Sequence, residues 1–513
     1  MQIATAAQMR ELDRAAIQER GIPGAVLMET AAKSVAKRAM ELAGEGGDGT
    51  PRRAVIFCGS GNNGGDGIAA ARLLLEAGYE VRCILVGKRE RMTADACEME
   101  RRLVSAGGRL EDFMPDNPEF AAWCLTAAVM IDAIFGIGLR AAPTGDALTA
   151  IHMMNTCPIP VLAVDIASGV AADTGLLPGT AVHADATVTF TLPKAGHYVG
   201  KGGLCCGSLT VASIGIPEEL VGRLDCNTRA VEAEDFSLSH RPQDAHKGDF
   251  GKVYILGGSM GMSGAPVMAA QAAVRTGAGI VSVGVPFQVW PIAATKLDEA
   301  MVHPLPAGKE GLLELGAAMM ALEKLHHFGV CLIGPGLGRS NAVSSVVRNI
   351  LIGTKLPVVL DADGINALEG HIDALDGRSG LATILTPHDV EFQRLGGDLS
   401  HGDRLRAARE FAVAHSCCLV LKGHRTITAF PDGTAYINTT GNPGMAKGGS
   451  GDVLAGVIVS LLGQGMTPRE AAPMAVYLHG LAGDICAAEI GEYGMTPTDV
   501  IRKLPDVMRQ FVK

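Results

Sequence analysis

AVIFCGSGNNGGDGIAAARLLLEAG, residues 54–78, decides how the first half of the chain is read. Its apolar opening reads as a buried strand and its close as a helix, so the glycines between them form a strand-to-helix turn. Gly59, Gly61 and Gly64 satisfy G-x-G-x-x-G there, where backbone N–H groups and a helix N-terminus can receive phosphate. The same glycines also suit a tight turn that needs them for steric reasons alone. A dinucleotide-binding dehydrogenase would end its second strand on an acidic residue. Here that strand, EVRCILVG from Glu80, runs out in Leu85-Val86-Gly87-Lys88-Arg89, which disfavours such an enzyme. Asn62, Asn63 and Asp66 supply more polar groups than a turn requires.

Strands and helices alternate outward from this turn. ADACEMERRLVSAGG from Ala94 reads as a helix, and AAVMIDAIFG from Ala127, PIPVLAVDIASG from Pro158 and ATVTFTLPK from Ala186 as further strands. An amphipathic helix is expected over residues 6–20. Such alternation implies a mainly parallel sheet with helices on both faces. The carboxyl ends of parallel strands line a ligand crevice, so Asp132, Asp165 and Ser168 should converge with the glycine loop. A strand-end Asp can equally cap a following helix. Asn63, Asp132 and Ser168 offer hard oxygen donors only, which suits an alkali or alkaline-earth ion and not zinc.

The pattern fades over residues 218–245, a polar stretch expected to link two domains. Beyond it KVYILGG from Lys252, IVSVGVP from Ile280, GVCLIGPG from Gly329, LPVVLDADG from Leu356, LATILTPH from Leu381 and CCLVLKG from Cys417 read as strands, and RTITAFPDGTAYINTTG as a hairpin about its Asp-Gly turn. GNPGMAKGGSGDVLAG, residues 441–456, leads a run of small residues into an apolar helix. Its backbone N–H groups from Gly448 to Gly451 form a potential anion hole, and Asp452 is placed to deprotonate a hydroxyl attacking a terminal phosphate. The alternative is a flexible linker with an Asp cap. It is not a Walker A loop, because Lys447 precedes the Gly-Gly-Ser-Gly run.

With 513 residues, at roughly 100–200 per domain, the chain has room for two to four domains. A composition 48% apolar and 19% charged is globular, and 66 glycines with 4% aromatics suit α/β folds in which backbone approaches ligands closely. A net charge of −10 argues against nucleic-acid or basic membrane-surface partners. No run approaches the ~18–20 apolar residues of a bilayer span, and the charged N-terminal stretch lacks a signal-peptide apolar core, so a cytoplasmic location is expected. The 12 cysteines lack a C-x-x-C spacing and are expected to be reduced.

GSGNNGGDGIAAAR, DAIFGIG, VDIASGV and TFTLPKAGH together resemble the NAD(P)H-hydrate epimerase family over nearly all of residues 1–215. The resemblance implies a Rossmann-like fold, a bound potassium ion and epimerisation of hydrated NAD(P)H. Carried over by motif, Asn62, Asn63, Gly64, Gly65 and Asp66 would line the substrate with Gly136, Ile137, Gly138, Leu139, Arg140, Ala141 and Ala142. Asn63, Asp132 and Ser168 would hold potassium, Asp165 would contact the reacting nicotinamide and Lys194 would lie nearby. Ala167 stands where that family usually has Pro.

The segment around Asp452 resembles the ribokinase-like superfamily. Together with HKGDFGKVYILGGS, SGAPVMAAQAAVRTGAG, IGPGLG, VVLDADGINAL, ILTPHDVEFQRL and VLKGHRT, it resembles the NAD(P)H-hydrate dehydratase family over roughly residues 240–505. That implies nucleotide-dependent dehydration of the S-epimer, with ADP or ATP as co-substrate alongside Mg2+. Lys422, Gly423, His424, Arg425 and Thr426 would hold the nucleotide with Asn442, Pro443, Gly444, Met445, Ala446, Lys447, Gly448, Gly449, Ser450 and Gly451. Ala265, Gly338, His388 and Asp452 would touch the hydrated nicotinamide nucleotide, with Asp452 as base. Met262 replaces a usual Tyr, Val390 a usual Gly and Lys447 a usual Thr, the last adding charge beside the expected phosphates. Asp361 and Asp363 either assist magnesium or cap the next stretch of chain.

The sequence thus predicts an α/β chain with an epimerase domain over 1–220 and a ribokinase-like dehydratase domain over 235–513. It would be a bifunctional metabolite-repair enzyme, acting on small molecules and, by resemblance, a homo-oligomer. The competing reading is a ribokinase-like small-molecule kinase fused to a non-catalytic nucleotide-binding domain.

Overall fold

A computed structural model describes residues 1–44 and 52–513. The chain divides into two compact units, Met1–Thr228 and Arg229–Lys513. Both are α/β. Among the described residues no helix is long and apolar enough to cross a membrane.

The first unit is built on a sheet of strands lying in the order Leu110–Asp112, Glu80–Leu85, Arg53–Cys58, Val129–Ala133, Val161–Val164, Ala186–Phe190 and Ser208–Ala212, with neighbouring strands parallel. Successive side chains of a strand point to opposite faces. Accordingly Ala54, Ile56 and Cys58 enter one apolar cluster while Val55 and Phe57 enter another, so both faces are covered. Two short strands of this sheet, Leu110–Asp112 and Ser208–Ala212, lie beyond those read from the sequence. The N-terminal helix runs Ala6–Gln18, started by a capping box: the Gln8 N–H donates to Thr5 Oγ1 at 3.2 Å and the Thr5 N–H to Gln8 Oε1 at 2.8 Å. A second helix, Gly24–Ala43, had no counterpart in the sequence reading. It buries Leu27, Met28, Ala31, Ala32, Val35, Ala36 and Ala39, an i, i+3/i+4 stripe made mostly of alanine, whose small apolar surface gives little pattern contrast.

The second unit orders its strands Ala435–Ile437, Ile427–Ala429, Cys418–Leu421, Thr383–Leu385, Val358–Leu360, Val330–Ile333, Lys252–Leu256, Ile280–Pro286 and Met301–Leu305. Pairing is parallel from Met301–Leu305 through Cys418–Leu421 and antiparallel in the hairpin beyond it, Val420↔Thr428 and Thr428↔Tyr436. The helix Ser450–Gly463 packs on Gly264–Arg275 at such close range that a Cβ on Gly456 would fall 2.3 Å from the Ala269 carbonyl oxygen.

Residues 218–245 differ from a bare linker. They form the helix Glu218–Val221 and the strand Thr228–Ala230, after which the Val231 N–H donates to the Ile437 carbonyl at 2.9 Å. Their polar composition hid a short helix, and a short strand whose backbone partners lie far along the chain.

Candidate active sites

In the first unit the turn opens the helix Asn62–Glu76. A Cβ on Gly64 would fall 1.7 Å from the Gly59 carbonyl oxygen, and one on Gly65 would fall 2.7 Å from the Met28 side chain. These two glycines set the shape of the turn and stand outside the wall of the cavity beside it. Gly64→Ala is therefore expected to cost at least about 1–3 kcal/mol by overpacking against backbone. Activity assays on the variant should read a lost first-site activity with the second site intact.

The cavity, about 550 Å³, is walled by the turn residues Gly59, Gly61, Asn62, Asn63 and Asp66, by Gly136, Ile137 and Gly138, and by Asp165 and Lys194. Leu139 to Ala142 continue the loop outside that wall, with Arg140, Ala141 and Ala142 exposed. Asp165 follows Val161–Val164 and has a left-handed φ of 66°. Its Oδ1 accepts from Lys194 Nζ at 2.6 Å and Thr189 Oγ1 at 3.0 Å, and Lys194 Nζ also donates to Thr189 Oγ1 at 2.7 Å. Oδ2 faces Gly136, where a Cβ would stand 3.1 Å away. Burial opposes ionisation of Asp165, but the Lys194 ammonium and these hydrogen bonds outweigh it and hold the carboxyl below the usual carboxylate range. Behind the pair, His197 Nδ1 accepts the Lys194 backbone N–H at 3.0 Å, so its Nε2–H donates to the Asp165 carbonyl at 2.8 Å. Burial and the neighbouring ammonium lower His197 to about 4, keeping that ring neutral.

Asp132 is fully buried and accepts from the Ser168 N–H at 2.7 Å, the Ser168 hydroxyl at 2.6 Å and the Ile134 N–H at 3.2 Å. Burial pushes it up to about 6 against those hydrogen bonds. Asn63 has a buried side-chain amide whose Oδ1 and Nδ2 both lack a hydrogen-bond partner among the described residues. Burial, with the Asp165 charge adding to it, pushes Asp66 well above the usual carboxylate range. The cavity also takes Asp13, Arg10 and Met9 from the N-terminal helix and Asp95 from the helix Ala94–Ser105, none of which the sequence reading singled out. Residues 6–20 read as an amphipathic helix, and nothing in their spacing marks Asp13 as facing a cavity.

In the second unit three adjacent parallel strands end side by side and present Asp361, Thr386 and Lys422. Lys422 Nζ donates to Asp361 Oδ1 at 2.8 Å and lies 3.8 Å from Glu391 Oε2, and the Thr386 hydroxyl donates to the same Asp361 oxygen at 2.6 Å. Burial disfavours the Lys422 ammonium, but Asp361 and Glu391 more than compensate and raise it. The Gly448–Gly449 turn starts the helix Ser450–Gly463, with Gly449 left-handed at φ 102°. Gly451 backs onto the pair: a Cβ there would stand 3.2 Å from Lys422 Nζ. Burial, with Asp361 adding its negative charge, pushes Asp452 up to about 7 despite Lys422.

The remaining expected contacts fall on both sides of this cluster. Asp363 Oδ2 accepts the Gly338 N–H at 2.9 Å and its Oδ1 the Asn366 amide at 3.1 Å. A Cβ on Gly336 would stand 3.0 Å from the Ala265 side chain and one on Gly338 3.5 Å from that of Met262, so the three expected residues lie close together. His388 caps the helix Asp389–Arg394 in reciprocal hydrogen bonds with Glu391, which links it to Lys422; Val390 is exposed. Arg425 is spent on the Thr439 carbonyl, and Asn442 Nδ2 donates to Asp484 at 2.9 Å. Lys447 departs from expectation: its ammonium donates to the carbonyls of Tyr493, at 2.8 Å, and Met495. Its charge ties down the segment after the helix Pro468–Ile490 instead of standing free beside a phosphate. Glu391, Thr386 and Asp484 were missed, although the His388-x-x-Glu391 capping-box spacing was there to be read.

Two parallel-sheet domains, each gathering carboxylates and a lysine at strand ends beside a glycine-rich turn, define a two-site α/β enzyme. The family described as NAD(P)H-hydrate dehydratase matches residues 253–506, and that described as YjeF-related protein N-terminus matches residues 24–196. The chain is 42% identical to the bifunctional NAD(P)H-hydrate repair enzyme of Moorella thermoacetica across 100% of this chain and 97% of that protein. To the enzyme of the same description from Escherichia coli it is 35% identical, across 90% of this chain and 86% of that protein. Bacillus subtilis ADP/ATP-dependent NAD(P)H-hydrate dehydratase, co-crystallised with ATP/Mg2+, is 31% identical and covers 55% of this chain and 98% of its own, with a TM-score of 0.46. The chain belongs to the bifunctional NAD(P)H-hydrate repair enzyme family.

Proposed function

We propose residue roles for the two activities that family membership gives this chain, epimerisation and dehydration of hydrated NAD(P)H. The substrate carries a hydroxyl on nicotinamide C6, beside the ring nitrogen N1. In the second domain Asp452 takes the proton of that hydroxyl as its oxygen attacks the terminal phosphate of ADP or ATP, whose bond to the bridging oxygen breaks to release AMP or ADP. Backbone N–H groups of Gly448 to Gly451 and the Lys422 ammonium neutralise the phosphate charge. Phosphate then leaves C6 as the ring nitrogen lone pair forms the C6=N1 bond, and a C5 proton passes to the departing phosphate to restore the dihydropyridine. The observation that carries this assignment is a carboxyl pushed up to about 7 in the first turn of a helix, beside the half-buried Lys422. Mg2+ would enter with the nucleotide, and Asp361, whose Oδ2 has no hydrogen bond among the described residues, is the strand-end carboxylate free to meet it.

In the first domain Asp165 acts as base at the C6 hydroxyl, and Asp66, kept neutral, donates a hydrogen bond to the substrate. Asn63, Asp132 and Ser168 fit a potassium ion, since the Asn63 amide is buried and unpartnered among the described residues and the set holds oxygen donors. Among the described residues no group of three His, Cys, Asp or Glu side chains is placed to hold a metal, which disfavours zinc. Such an ion would supply fixed positive charge beside the glycine loop. Its crystallographic metal–oxygen distances should exceed the ~2.0–2.1 Å of magnesium, and zinc at the site would overturn the assignment.

The experiment that tests the whole reading gives the purified chain a mixture of both epimers with ADP or ATP and follows reduced-nicotinamide absorbance. Full recovery of both epimers is expected. A phosphorylated product accumulating without recovered absorbance would establish the kinase reading instead.

A further inference from the structure

The wall of the first cavity holds a carboxyl group that the roles above leave unused. Asp13 projects from the N-terminal helix into the same cavity as Asp165 and Lys194. Among the described residues nothing hydrogen-bonds to or ion-pairs with its side chain. That contrasts with Asp165, whose Oδ1 is bound by both Lys194 and Thr189. Other acids on this helix are spoken for: Glu11 pairs with Arg14 and Glu19 with Arg223, and neither carboxylate lines the cavity. An unpaired carboxyl held half-buried in a cavity wall is costly for folding alone, because burial without a partner disfavours its charge.

We propose that Asp13 is the proton donor that works with Asp165 in epimerisation, a role that rests on the epimerase reading of this site. Asp165 takes the proton of the C6 hydroxyl. The C6–N1 bond breaks with its electron pair passing to N1, C6 becomes an aldehyde, and Asp13 gives its proton to N1. Rotation about the C5–C6 bond presents the other aldehyde face. N1 then attacks that face and returns its proton to Asp13, while the new oxygen retrieves the proton held by Asp165. Closing reverses opening, so both carboxyl groups end as they began and the cycle needs no co-reactant.

The electrostatics fit this division. Burial pushes Asp13 up to about 6, the Lys194 ammonium opposing and the Asp165 charge adding, while Asp165 is held down as an anion. Two carboxyls driven apart by their surroundings are the arrangement that separates an acid from a base. Asp66, whose charged form burial disfavours, is the hydrogen-bond donor assigned above. The charged groups that share the wall are Lys194, Asp165, Asp66, Asp95 and, one turn earlier on the same helix, Arg10. The helix Glu218–Val221, packed on the N-terminal helix, offers Glu219 to Arg20, and neither lines the cavity.

The test supplies the pure R-epimer to the full chain without nucleotide and measures the S-epimer by chromatography from pH 5 to 9, net of the enzyme-free rate. A donor must be protonated, so wild-type kcat/KM should fall about tenfold per pH unit above about 6. Asp13→Asn should lower kcat by about 10²-fold or more, with KM nearly unchanged and that falling limb gone. Asp13→Glu should restore part of the rate together with the limb. Dehydration of pure S-epimer by Asp13→Asn should match wild type. Near-normal epimerisation in Asp13→Asn, or a slow variant that keeps the limb, overturns the inference. If Asp13→Asn does not fold, the wild-type limb and its displacement in Asp13→Glu decide the matter, and absence of either overturns it. No epimerisation by wild type at all would instead overturn the epimerase reading of the site.

Discussion

Asp452→Asn is expected to lower dehydration by about 10²–10⁴-fold, the usual contribution of a positioned general base. The substitution keeps the side chain's shape and removes its proton acceptor. Nucleotide affinity should change little, because the Gly448–Gly451 backbone and Lys422 make that contact, and the loss should appear in kcat. Epimerisation should continue at the wild-type rate, so a mixture of epimers equilibrates without recovering reduced nicotinamide. The wild-type pH profile has a definite sign. A base must be ionised, and the carboxyl stands at about 7, so dehydration should rise with pH through about 7 and level off above it. Near-normal dehydration in the variant removes Asp452 as the base, and a parallel loss of epimerisation removes the independence of the two sites.

Asp165→Asn is expected to have the larger effect on the first domain. Epimerisation should fall by about 10²-fold or more, because the base is lost and Lys194 keeps its charge with no anion to meet it. Lys194 is buried to 1% exposure, so breaking the pair should also cost about 3–5 kcal/mol of stability, read as a lowered melting temperature of that domain. The backbone sharpens the test. With φ at 66°, position 165 tolerates Asp and Asn better than longer side chains, so Asn isolates the charge. Glu should fail to rescue, since it moves the carboxylate off Thr189 and Lys194 and enters a strained conformation. Equal rates of epimer interconversion in wild type and Asp165→Asn would sink the assignment.

Much of this was legible in the residues. The turn at Gly59–Gly64 carries its signal locally, because a Cβ on Gly59 or Gly64 would strike backbone, and the turn at Gly448–Gly451 does so through the left-handed Gly449. Asp132 and Asp165 were legible as strand-end residues because each ends an apolar run, whereas Lys422 was reached through the resemblance of the VLKGHRT segment. What was hidden depends on contacts distant in sequence. Asp13 sits on a helix whose neighbours come from residues far along the chain, and only tertiary packing turns it into the cavity. The helix Gly24–Ala43 is largely alanine on its buried face, so periodicity is faint. Lys447 was expected beside the phosphates through the family resemblance, yet carbonyls nearly fifty residues later claim it.

The division into Met1–Thr228 and Arg229–Lys513 on one polypeptide also has a consequence for the cell's economy of synthesis. Two separately encoded proteins would drift in relative abundance with every change in transcription or turnover. A single translation event instead delivers one copy of each sheet, so their ratio is immune to gene dosage. Raising expression then raises both activities together. A shift in the balance between handling of the R-epimer and of the S-epimer has to come from the turnover of one domain and cannot come from differential expression.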